Sequence, residues 1–153
     1  MGELLRNDRF LETKNVKLIV HSPLRRARKT CHGVLGTVAV EVTADVGSVY
    51  KCENEHRVVQ LEDLKERTPQ EWLPFSKESY YNRILSVVNW LAQQEEDVIV
   101  IVGHSQFFKT MLGLDYKFGN CDVWEVELAV KKDDGVGNQS THNWRNLRQL
   151  YSL

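Results

Sequence analysis

Apolar positions in this chain fall into short β-branched runs separated by segments with helical spacing. Val16 to His21 (VKLIVH) is mostly apolar, as expected of a strand covered on both faces. Val98 to Val102 (VIVIV) is the strongest buried-strand pattern in the chain. From Ser76 to Gln94, the positions Tyr80, Ile84, Val87, Val88 and Leu91 recur at helical spacing and predict a long helix. A basic helix is predicted from Leu24 to about Leu35, with Ser22 able to cap it, Pro23 suited to its first turn, and Gly36 at its end. Another helix follows Gly103-His104-Ser105 and runs to about Leu114.

The remaining segments are weaker. Val38 to Thr43 and Val58 to Leu64 read as short strands, residues 44 to 57 as a polar loop with a surface excursion, and Thr68-Pro69 as a turn toward Trp72. Val123 to Val130 alternates as a half-exposed edge strand does. Residues 2 to 12 carry a faint amphipathic pattern, residues 133 to 138 read as a turn, and the tail after them is too short to classify. Strands alternating with helices imply one α/β domain over residues 1–153, a layered and mostly parallel sheet with helices on both faces. Ligands in such sheets sit beyond the carboxyl ends of the strands. His21-Ser22-Pro23 and Gly103-His104-Ser105 fall there.

Composition narrows the function. The 153 residues are 42% hydrophobic and 27% charged, the proportions of an ordinary soluble protein. A net charge of −1 gives no reason to expect nucleic acid or an anionic membrane as partner. The apolar runs are too short to span a bilayer, and the N-terminus is charged with no apolar signal core. Cys31, Cys52 and Cys121 have neither metal nor disulfide spacing, which makes them buried or idle thiols and the cytosol the expected location.

Three segments carry candidate chemistry. In SPLRRARKT, Ser22 to Thr30, a helix start offers free backbone N–H groups and a positive dipole end to an anion, and the planar fork of Arg26 suits phosphate. Four basic residues on a helix also make an ordinary solvated face. In GHSQFFKTML, His104 is placed to donate to a phosphoryl oxygen, although a histidine there also serves as a structural residue. In LKER, Glu66 is a candidate general acid on a segment that by itself says little.

Taken together, these segments resemble the histidine phosphatase superfamily, whose phosphoglycerate-mutase-like members share a strand-SPLxRAxxT motif. Ser22, Pro23, Leu24, Arg26, Ala27 and Thr30 match it; Leu64-Lys65-Glu66 resembles the family's L-x-E element, and VIVIVGHS its second-histidine element. The resemblance implies a phosphatase or phosphomutase that forms a phosphohistidine and then hydrolyses it. It further implies Arg26, Ser22 and Ser105 as phosphate-binding residues, His104 as the group that neutralises developing charge, and Glu66 as the acid for the leaving oxygen. No metal or other cofactor is required in that scheme, and the partner is a small phosphorylated molecule or a phosphoprotein.

The sequence departs from the family in one decisive respect. No Arg-His-Gly, the motif that carries the phosphorylated histidine, occurs in it, and Ser22 lies close to Met1. The expectation is therefore an N-terminally incomplete domain lacking a first, central strand between the Val16–Val20 and Val98–Val102 runs. Those runs would expose their edges and self-associate, or pair directly. His21, His32, His56 and His142 are poor substitutes for the nucleophile, and His21 suits a packing role. The short interval between Glu66 and His104 leaves no room for a large lid, which implies an open, shallow phosphate pocket. Impaired catalysis or a pure binding role (a pseudoenzyme) follows. A remoter alternative, an α/β-hydrolase using Ser105 with Asp115 or Asp122 and His142, leaves SPLRRARKT unexplained.

Overall fold

The computed structural model describes residues 9–35, 41–43, 48–51, 56–130 and 142–152. A short helix α1 (Phe10–Thr13) leads into strand β1 (Leu18–His21), followed by helix α2 (Arg25–Leu35). Three short strands come next: β2 (Glu41–Thr43), β3 (Ser48–Lys51) and β4 (Arg57–Gln60). Single 3-10 turns at Glu62–Leu64, Gln70–Trp72 and Pro74–Ser76 precede helix α3 (Lys77–Ala92). Strand β5 (Ile99–Val102), helix α4 (Ser105–Leu112) and the strands β6 (Val123–Val130) and β7 (His142–Tyr151) complete the chain.

The main sheet has the order β2-β3-β4-β1-β5, with β4, β1 and β5 parallel and β2 and β3 antiparallel. β1 is the central parallel strand, and all four of its residues are buried. Period-2 alternation divides them between the two faces. Leu18 and Val20 pack with Tyr80, Ile84, Val87, Val88 and Leu91 of α3 and with Phe107 and Met111 of α4. Ile19 turns to the other face, where it meets Val16, Val58 and Cys31 of α2. Helices thus cover both faces, as expected of an α/β layered fold.

Two expectations need correction. Residues 44 to 57 are not simply a loop, because β3 forms there and hairpins onto β2; the rest of Val38–Thr43 before β2 lies outside the described residues, as does the turn expected at 133 to 138. The VIVIV run is not fully buried: β5 is an edge strand with half-buried side chains, bonded only to β1 among the described residues. No gap for a strand separates β1 from β5. They pair directly from Leu18↔Ile99 to His21↔Val102, the compact arrangement that the two apolar runs allow.

The tail is also a strand. β7 pairs with β6 in a separate two-stranded sheet. Opposite Glu125 to Glu127, β7 runs from Arg148 back to Arg145, one residue more, and Asn146 takes φ 52°. This bulge puts the half-buried Trp144 and Leu147 three apart, which erases the period of two in the sequence. Leu128 and Trp144 tie the hairpin to the α3–α4 side of the core.

Candidate functional site

Register builds the site. His21 lies opposite Val102, and the Ser22 N–H donates to the Val102 carbonyl at 3.0 Å. The segments that follow these two strands therefore leave the sheet side by side. Ser22 is fully buried, and its Oγ accepts the Leu24 N–H (3.3 Å) as α2 begins. One turn further on, Arg26 reaches back over the strand ends. His104 precedes α4 with 4% of its surface exposed, and it meets Ser22 and Arg26 directly.

Arg26 Nε donates to His104 Nδ1 at 3.0 Å, and its Nη2 donates to Glu66 Oε2 at 3.4 Å. The same Glu66 oxygen lies 3.8 Å from His104 Nδ1. A guanidinium can only donate, so Nδ1 must be the acceptor and the imidazole proton sits on Nε2. Nε2–H then donates to Ser22 Oγ at 2.8 Å. Burial, together with the charges of Arg26 and Arg83, lowers the His104 pKa to about 4, so the imidazole is neutral at neutral pH.

Glu66 comes from the segment after β4. Its Oε1 accepts the N–H of Arg67 at 3.2 Å, which leaves Oε2 toward Arg26. Ser105 is placed differently: its Oγ donates to the Phe118 carbonyl at 2.8 Å, and it has no side-chain contact with Arg26, Glu66 or His104 among the described residues. The serine-hydrolase alternative finds no support in this geometry. Asp115 pairs with Lys109 at 2.8 Å, while Asp122 accepts from the Tyr116 hydroxyl and the Gly119 N–H.

Of the other histidines, His21 is buried with Nδ1 on the Ser22 carbonyl at 2.9 Å, and burial lowers its pKa. His56 belongs to no polar excursion; it is buried with Nδ1 on the Val16 carbonyl at 2.9 Å. Among the described residues, no group of three His, Cys, Asp or Glu could hold a metal ion. No described helix is long and apolar enough to cross a membrane.

Sequence reasoning missed the residues behind Glu66. Arg83 of α3 forms a two-pronged ion pair with Glu71, and Arg67 stacks over Trp72 at 4.0 Å. Only one signal pointed to Arg83: it follows Tyr80 by three positions, on the inward face of the α3 repeat.

A guanidinium, a neutral imidazole, a serine hydroxyl and a carboxylate thus converge beyond the carboxyl ends of adjacent parallel strands of an α/β fold. The family model of the histidine phosphatase superfamily (branch 1) matches residues 5–130, and the chain belongs to that superfamily. No curated protein and no solved structure matches it.

Proposed function

We propose that Arg26, His104 and Ser22, with Glu66 alongside, bind the phosphoryl group of a phosphomonoester carried by a small molecule or a phosphoprotein. The convergence of Arg26 and His104, 78 residues apart in sequence, carries this reading. Arg26 supplies the permanent charge. Its side chain is 64% exposed, so an anion reaches it without opening the core.

Turnover is a different matter, and the reading is of a chain that binds phosphomonoesters better than it hydrolyses them. None of the 153 residues forms an Arg-His-Gly motif. Attack on phosphorus requires a free imidazole lone pair. The Nδ1 lone pair of His104 is occupied by Arg26, and its Nε2 carries the proton given to Ser22. The scattered spacing of Cys31, Cys52 and Cys121, which suits neither a disulfide framework nor a metal site, favours a reducing compartment, and the cytosol is the proposed location.

Calorimetry with inorganic phosphate and with vanadate, alongside p-nitrophenyl phosphate turnover and trapping of acid-labile phosphoenzyme, tests both halves. The expected result is saturable anion binding lost in Arg26→Ala and His104→Ala, with negligible turnover. Absence of anion binding would overturn the site. Robust turnover abolished by both substitutions would overturn the claim of impaired catalysis.

A further inference from the structure

Glu66 reaches Arg26 from an irregular segment, and irregular backbone has to be held by something. Arg83 holds it. Its Nη1 donates to the carbonyls of Asp63 (2.6 Å) and Lys65 (2.8 Å), and Nη2 reaches that of Glu66 (3.5 Å). The same guanidinium grips Glu71 through Nε to Oε1 (2.9 Å) and Nη2 to Oε2 (2.7 Å). Both side chains are largely buried, 15% and 11% exposed.

Glu71 closes the loop from the other end. Its Oε2 accepts the Thr68 N–H at 2.8 Å, and its carbonyl accepts Arg67 Nε (3.0 Å) and Nη2 (2.7 Å). Burial by itself would raise the Glu71 carboxyl, but the hydrogen bonds from Arg83 and Thr68 outweigh it and hold the group ionised. The Arg83 guanidinium also lies over the rings of Tyr80 (5.1 Å) and Phe107 (5.6 Å), so the clamp rests on the α3–α4 core.

We infer that the Arg83–Glu71 pair is a positioning device that fixes the Glu66 carboxylate against Arg26 and so sets how much of Arg26 an incoming phosphoryl group can take. The inference rests on the anion site proposed above. Glu66 and an anion compete for the same Nη2, so a carboxylate held rigidly in place opposes binding more than one free to swing away. Neither Arg83 nor Glu71 needs to touch the ligand.

A double-mutant cycle on inorganic phosphate affinity tests it, with Glu66→Gln, Glu71→Gln and the pair, and with thermal denaturation recorded for each. Glu66→Gln and Glu71→Gln are each expected to tighten phosphate binding by about threefold, the scale of one partly exposed ion pair. In the Glu66→Gln background, Glu71→Gln is expected to leave affinity unchanged while still lowering thermal stability. A Glu71→Gln effect of equal size in both backgrounds would mean a general charge effect and overturn the positioning role. Loss of stability with no change in affinity would likewise reduce the clamp to a structural brace. Should Glu71→Gln not fold, Arg83→Lys, which keeps the charge but cannot form the fork, enters the same cycle with the same expectations. Failure of the unmodified protein to bind phosphate would instead sink the site itself.

Discussion

Arg26 Nε and His104 Nδ1, 3.0 Å apart, share one hydrogen bond in which the arginine is the donor. A phosphoryl oxygen arriving at Arg26 therefore competes with a neutral imidazole lone pair as well as with the Glu66 carboxylate. A lysine at position 26 would keep the charge but lose the planar fork that spans both partners. Arg26→Lys is expected to weaken phosphate binding about tenfold or more, the scale of one charge-assisted hydrogen bond. Calorimetry checks this, and unchanged affinity would show that charge alone suffices.

Burial of His104, with the charges of Arg26 and Arg83 beside it, makes stability depend on pH. His104 is neutral in the fold, with its pKa lowered from 6.5 to about 4. Between those values the unfolded chain takes up a proton that the folded chain refuses. The contribution is therefore fully present above pH 6.5 and lost as pH falls toward 4. The shift corresponds to about 3 kcal/mol at most. Denaturant titrations at pH 7 and pH 4.5 are expected to show this loss, and a His104→Gln variant a shallower dependence. A variant with the parent's full slope would assign the effect elsewhere.

Phosphate binding should itself move a proton. An anion that draws Arg26 away from Nδ1 frees the lone pair and adds a negative charge beside it, and both effects raise the His104 pKa. Binding near pH 5.5 is expected to take up protons, seen as a calorimetric enthalpy that varies with the ionisation enthalpy of the buffer. Equal enthalpies across buffers would place the anion away from His104.

Gly103 has a steric reason to be glycine. A Cβ there would lie 2.7 Å from Phe108 Cζ, and the ring is held edge-on by Phe107 and Phe118. Gly103→Ala is expected to cost about 1–3 kcal/mol by overpacking and to weaken phosphate binding through displaced His104. An unchanged melting temperature would show that Phe108 swings aside freely.

The site was more legible in the sequence than its support. Ser22, Arg26 and His104 sit directly after strongly patterned strands, so topology alone brings them to one end of the sheet. Glu71 and Arg83 are 12 residues apart on a 3-10 turn and a helix, and no local pattern reveals that a carboxylate and a guanidinium there will be buried against each other. Periodicity reports burial demand but not position within a sheet, which is why the most apolar run turned out to be the edge strand β5. The bulge at Asn146 removed the alternation by which β7 is recognisable.

That edge leads to a further expectation. Val102 directs its carbonyl to Ser22, just past β1, so by alternation Ile99 and Ile101 direct their backbone groups outward. Among the described residues no strand pairs with that side of β5, and an apolar strand with an open row of such groups recruits another strand. The protein is expected to self-associate with rising concentration, the Ile99 and Ile101 amides gaining hydrogen-exchange protection as it does. Light scattering showing a monomer at every concentration would count against this.

The alignment of His21 with Val102 has a practical corollary. Sliding β5 by a single residue along β1 would invert its pleat and carry His104 roughly 3.3 Å out of reach of Ser22. Misassembled molecules would keep their helices and lose the ligand. Phosphate titration thus doubles as a quality assay for refolded material, counting the fraction of chains in which β1 and β5 have found the right partner atoms.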